Sequence, residues 1–150
     1  PEYAADADEG VTALQVRVGA ATDTLALNPT GGEVRVGEMR LGGVWGLVRS
    51  EGRDLPRYAL VSGTALTYGS RELVTSDAPV TVGAVVDGGT FEASVTCGDP
   101  TTVTLHCPVR AATVEIGGVS EVVEVTLDEA GETVTLTAAG GEYALHVRGR

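Results

Sequence analysis

Between Val80 and Cys97 the chain alternates apolar and polar residues almost without interruption. Val80, Val82, Ala84 and Val86 interleave with Thr81, Gly83, Val85 and Asp87. After Gly88-Gly89, Phe91, Ala93, Val95 and Cys97 interleave with Glu92, Ser94 and Thr96. A period of two sends successive side chains to opposite faces, so both runs read as half-buried strands. Glycine takes positive φ without penalty, and a two-residue Gly88-Gly89 turn sets Asp87 opposite Thr90, Val86 opposite Phe91, Val82 opposite Val95 and Val80 opposite Cys97. Every apolar side chain then meets an apolar side chain. A slip of one residue would turn the whole set to water, so pattern and turn specify one register. After Gly98-Asp99-Pro100 a third run points Val103, Leu105 and Cys107 inward and Thr102, Thr104 and His106 outward. It is expected to continue the meander, with His106 across from Glu92 or Ser94.

The same alternation predicts strands over 14–18, 24–27, 33–36, 44–49, 58–61, 65–68, 72–75, 112–116 and 122–127, separated by Gly-rich or charged turns. Val134, Leu136 and Ala138 share the inward parity with Tyr143, Leu145 and Val147. They predict a closing hairpin with 139–142 as its loop and Thr135 opposite His146. No segment keeps a helical apolar period. The expected fold is therefore all-β, an antiparallel β-sandwich of roughly a dozen short strands. Residues 1–10 form an acidic, Ala-rich lead, read as a linker or frayed end, and residues 11–150 form the β-sandwich domain. A start at Pro1 with no signal peptide reads as a piece of a longer or processed product. No apolar run approaches the ~18 residues of a transmembrane helix, so no membrane span is expected.

Composition narrows the partners more than the chemistry. The 150 residues are 43% hydrophobic, with 21 Gly but one Trp, one Phe and four Tyr, so aliphatic side chains must supply the core. Ten basic residues, all Arg, stand against 21 acidic ones, a net charge of −11. Such a surface repels phosphate backbones, and no nucleic-acid partner is expected. The absence of Lys and the single Asn and Ile fit a GC-rich genome. The sharper alternative is a salt-adapted or secreted acidic surface, which favours an extracellular or periplasmic location.

Each candidate for chemistry has a plainer reading beside it. Cys97 and Cys107 fall out of alignment by several residues in the meander, on the order of 13 to 20 Å at ~3.3 Å per residue, whereas a disulfide needs Cα atoms within ~7 Å. Both read as buried thiols. His106 and His146 are single outward histidines with no third ligand nearby in sequence, so no metal site is expected. Asp6, Asp8 and Glu9, and likewise Asp128, Glu129 and Glu132, resemble calcium loops in composition but lack the ligand spacing, and read as solvated acidic turns. Ser62-Gly63 and Ser50-Glu51 lack a nucleophile elbow, and no Gly-rich loop leads from a strand into a helix, so no catalytic residue and no cofactor is assigned. Trp45 and Tyr68 are the candidates for carbohydrate binding, because an exposed ring can stack on a sugar face. The alternative is a core Trp within Val44-Trp45-Gly46-Leu47-Val48.

Several stretches together resemble a known family. The run Asp23-Thr24-Leu25-Ala26-Leu27-Asn28-Pro29, then Leu47-Val48-Arg49, Arg57-Tyr58-Ala59-Leu60-Val61-Ser62-Gly63-Thr64-Ala65-Leu66, Gly69 and Arg71-Glu72-Leu73 resembles the C-terminal β-sandwich region of heparinase II/III-like polysaccharide lyases and related carbohydrate-active enzymes. Val114-Glu115-Ile116-Gly117-Gly118, Gly131-Glu132-Thr133-Val134-Thr135-Leu136 and Gly141-Glu142-Tyr143-Ala144-Leu145 are similar to the closing strands of such accessory sandwiches. The resemblance implies a non-catalytic module whose partner is a polysaccharide or an adjoining catalytic domain. In that family a helical toroid supplies the catalytic tyrosine and an earlier part of the sandwich region contributes a histidine. No catalytic motif of the family maps onto a position here, so no catalytic residue is carried over. A structural or adhesive cell-surface module that self-associates through strand edges is the alternative.

Overall fold

A computed structural model describes residues 2–3, 7–118 and 123–149 and contains fourteen strands and, among the described residues, no helix. They are β1 (Glu2–Tyr3), β2 (Thr12–Val18), β3 (Ala21–Leu27), β4 (Glu33–Val36), β5 (Met39–Gly42), β6 (Trp45–Glu51) and β7 (Asp54–Tyr68). There follow β8 (Arg71–Asp87), β9 (Thr90–Cys97), β10 (Thr101–His106), β11 (Ala111–Gly118), β12 (Val123–Leu127), β13 (Thr133–Ala138) and β14 (Gly141–Gly149). Every pairing is antiparallel, and one ladder connects all the strands without closing into a barrel.

Two long strands fold this ladder into a sandwich. The first half of β7 pairs with β6, and its second half pairs with β5, Leu41 opposite Leu66. Likewise β8 begins beside β10, with Val74 opposite Leu105, and ends beside β9, with Val80 opposite Cys97. The front layer is thus β4-β5-β7-β8-β10-β13-β12, and the rear layer is β1-β2-β3-β6-β7-β8-β9-β14-β11. Inward side chains of both layers, among them Leu41, Leu66, Leu105 and Leu136 in front and Val48, Phe91, Val95 and Leu145 behind, form one buried cluster. Tyr58 ties the layers together: its hydroxyl, from the rear layer, donates to the His106 carbonyl in front at 2.5 Å.

The crossing of β7 has a local cause. Its register against β8 breaks between Leu60 and Ala65, where Ser62 takes φ 50 and its N–H donates to Thr81 Oγ1 at 3.2 Å. A Cβ on Gly63 would lie 2.6 Å from Leu60 Cδ1 and 2.8 Å from Gly43 Cα, so only glycine lets the turning strand pass this close to its neighbour.

The β8–β9 hairpin has the register that its pattern specifies, Asp87 opposite Thr90 through Val80 opposite Cys97, with Gly88 and Gly89 at φ 57 and 84. The third strand does not continue that meander. β10 lies in the front layer between β8 and β13, and His106 pairs with Thr133 rather than across from Glu92 or Ser94. Period two determines which side chains point inward, not which strand lies alongside. The two halves of β8 lie in different layers, and β9 and β10 each take one half. Asp77 fastens the crossover by accepting from Thr101 Oγ1 and from the Thr102 N–H, the latter at 2.9 Å.

The expected closing hairpin is corrected in the same way. β13 pairs with β10 and β12, whereas β14 pairs with β9 and β11, so Thr135 faces Thr104 and Thr126 while His146 faces Glu92 and Glu115. The inward residues of both strands are nevertheless buried as their parity requires. Separate expected strands at 58–61 and 65–68 are one strand, β7, and β5 was not anticipated. Within the acidic lead, β1 pairs with β2 and Ala7 bridges Val36, while Asp8 accepts from the Arg35 N–H at 2.7 Å. Asp6 of the calcium-like lead and Val122 of the expected 122–127 strand lie outside the described residues.

Candidate functional site

A polar cleft of about 520 Å³ opens at one end of the front layer, where the β7–β8 turn approaches the end of β10 and the start of β13. Its frame is built by backbone geometry. Asp128 Oδ1 accepts from the Glu132 and Thr133 N–H groups at 2.7 and 3.0 Å, closing the turn into β13 and holding its own carboxyl below the ordinary value. The Cys107 N–H then donates to the Glu132 carbonyl at 2.8 Å, and the Ala111 N–H to the Gly131 carbonyl at 3.0 Å. Gly131, at φ 70, lies so close to Ala111 that a Cβ would come within 2.6 Å of its carbonyl oxygen. Pro108, which fixes its own φ, stands in the loop between these anchors.

Charged side chains line this frame from segments far apart in sequence: Arg71 and Glu72 from β8, Arg110 from the loop before β11, and Glu132 beside β13. Neither guanidinium has a hydrogen-bond or ion-pair partner among the described residues. His106 completes the lining. Burial pushes its pKa below the ordinary histidine value, the Arg71 charge pushes the same way, and Glu132 opposes both. The ring is therefore neutral near pH 7, and its Nε2 is sealed from solvent without a hydrogen-bond partner. A smaller pocket of about 360 Å³, bounded by Glu33, Arg40 and Thr67, adjoins the cleft through Ser70 and Glu72.

The structure places the two carbohydrate-binding candidates, Trp45 and Tyr68, in different layers, the first on an outer face and the second against the core. Trp45 points outward from the rear layer, half-buried, between Leu27 and Val61. Tyr68 is half-buried against the core, and its hydroxyl donates to Ser50 Oγ at 3.4 Å. They do not form one platform. His146 lies outward on the rear layer with Nδ1 3.1 Å from Glu92 Oε1. Among the described residues no group of three or more His, Cys, Asp and Glu is placed to hold a metal ion.

Cys97 and Cys107 are free and buried, and burial raises both thiol pKa values. The Cys97 thiol donates to the Ala139 carbonyl at 3.5 Å. Because β10 leaves the expected meander, the two cysteines are separated not by hairpin register but by the length of β10, whose opposite ends they flank, on the order of 20 Å at ~3.3 Å per residue. No helix among the described residues is long and apolar enough to cross a membrane.

No protein-family model matches this chain, and no curated protein matches it. The cleft residues Arg71 and Arg110 were not singled out in the sequence. Nothing in a local pattern joins positions separated by three strands, β8 to β10, and their turns, and a chain with so many acidic residues directs attention away from its cations. One signal was available: in 69–72 and 107–110, arginine lies within two residues of Gly, Ser or Pro at a strand end, where loops from one end of a sandwich gather.

Proposed function

We propose that this chain is a non-catalytic β-sandwich accessory module of a carbohydrate-active, polysaccharide lyase-like enzyme, packing on or assisting an adjoining catalytic domain. The observation that supports this reading is the outer face of the rear layer. Leu14, Leu25, Leu47 and Ala59 stand in register across β2, β3, β6 and β7, and Leu27, Trp45 and Val61 form the neighbouring row. Leu27 is 44% exposed. Scattered outward apolar residues need no explanation, but contiguous rows of them suit a surface that another domain or a sugar face covers.

The test is incubation with alginate, heparan sulfate and hyaluronan, with ultraviolet detection of unsaturated uronate ends, beside affinity electrophoresis in the same polymers. The expected result is retardation without turnover, weakened by Trp45→Ala on that outer face. Turnover abolished by changing His106 or His146 overturns the reading in favour of an enzyme. The structural or adhesive alternative draws on β11, which among the described residues pairs with β14 alone and carries Ile116, 39% exposed, at that edge of the ladder. Concentration-dependent assembly without glycan binding favours it.

A further inference from the structure

The geometry points to the cleft between the β7–β8 turn and the β10–β11 loop as a binding site for a singly charged carboxylate with neighbouring hydroxyl groups, the chemistry of a sugar acid or hydroxy acid. Three observations converge on it. Arg71 and Arg110 bring two planar guanidinium groups to one concavity in a chain of net charge −11, and neither is engaged by an acidic residue among those described. A guanidinium fork matches a carboxylate with paired hydrogen bonds, which gives orientation as well as attraction. His106 carries a dry, unpartnered Nε2 at the same place. A buried polar nitrogen without a partner is unfavourable, and a ligand oxygen that reached it would supply the missing hydrogen bond. Glu72 and Glu132 share the lining and select among anions. They repel a second negative charge, which disfavours sulfate and phosphate dianions, and they accept hydrogen bonds from hydroxyl groups.

The site deepens the accessory-module reading and rests on it only for the origin of the ligand, a uronate unit of a polysaccharide rather than a free acid. The experiment is isothermal titration of the whole chain with trigalacturonate and with gluconate, and with maltotriose, sulfate and phosphate as controls. Either carboxylate should bind, and tighter binding of the trimer identifies a polymer as the source. Arg71→Ala and Arg110→Ala should each weaken binding about tenfold, the loss expected for one charge-assisted contact. Arg148→Ala, an exposed arginine on the rear layer, should leave it unchanged. The imidazole nitrogen signals of His106 should move on titration with the carboxylate and stay still with sulfate.

Absence of carboxylate binding by the native chain overturns the inference. So does sulfate or maltotriose binding as tightly as the carboxylates, or an equal loss in Arg148→Ala. Neutral-glycan binding that depends on Trp45, with no carboxylate binding, removes the cleft and leaves the accessory reading. Uronate turnover with the cleft intact does the reverse.

Discussion

The two outer faces of this sandwich follow the same alternation and arrive at opposite chemistry. On the rear layer the outward row Leu14, Leu25, Leu47 and Ala59 is apolar. On the front layer the outward row is Thr75, Thr104, Thr135 and Thr126. There the hydroxyls pair across strands, Thr104 with Thr135 at 3.3 Å and Thr102 with Thr137 at 3.4 Å. Behind both rows lie Val and Leu, buried to the same degree. The inward half of the pattern therefore determines the fold, and the outward half is free to record what each face meets. Hydroxyl ladders suit a face left in water, whereas leucine rows suit one that is covered.

β7 carries one layer into the other, and the largest effect comes from blocking that passage. Gly63→Val should destabilise the chain by about 3 kcal/mol or prevent folding, because its side chain must displace Gly43 and Leu60. Chemical denaturation checks this, and an unchanged midpoint refutes the account of the crossing. A smaller loss, about 1–3 kcal/mol, is expected for Tyr58→Phe, which leaves the His106 carbonyl without its hydroxyl donor.

The faces themselves are separated by a matched pair. Val48→Ser, on the inward side of β6, should cost about 2–4 kcal/mol, while Leu47→Ser on its outward side should stay near ~0.5 kcal/mol. Retention on a hydrophobic-interaction column should fall for Leu47→Ser and remain unchanged for Thr104→Ser. Equal stability losses at 47 and 48 would mean that the rear face is core rather than surface. Alkylation provides a check on the interior: without reductant, Cys97 and Cys107 should both react after unfolding and resist reaction before it.

The smallest effect is electrostatic. Asp23 and Arg49 form a two-point ion pair at 2.7 and 2.8 Å across the rear outer face, and the hydrogen bond from Arg49 lowers the Asp23 pKa. A carboxyl whose folded pKa lies below its unfolded value stabilises the protein at higher pH, and that contribution disappears as pH falls through the folded pKa. At this exposure it amounts to about 0.5 kcal/mol. Arg49→Ala should lower the melting temperature slightly at pH 7 and not at pH 2.

Much of the fold was legible because burial and turn chemistry are local. The Gly88-Gly89 hairpin is set by residues within a few positions of one another, and its register followed. The layer exchange was not legible. β9 to β10 and β13 to β14 read as ordinary hairpin connections, yet each passes between layers, and Gly140 packs so tightly on Gly98 that a Cβ would lie 2.5 Å from the Gly98 oxygen. Close approach between two connections is a tertiary fact with no period. The candidate site divides similarly. Outward placement of His106 followed from parity, while Trp45 read as either core or surface, and the meeting of Arg71 with Arg110 depends on which strand ends share a corner.

Because β7 and β8 are common to both layers, neither layer can open while the other stays folded. Amide protons in the shared ladder, such as those pairing Tyr58 with Ala84 and Leu66 with Val74, should exchange with solvent only through complete unfolding and at matching rates. The turn at Gly69-Ser70 joins these strands directly, so closing this one hairpin prepares a template for both layers. Folding should therefore be faster at its start than a sandwich assembled from two independent sheets, with the slower long-range steps left to β11 through β14.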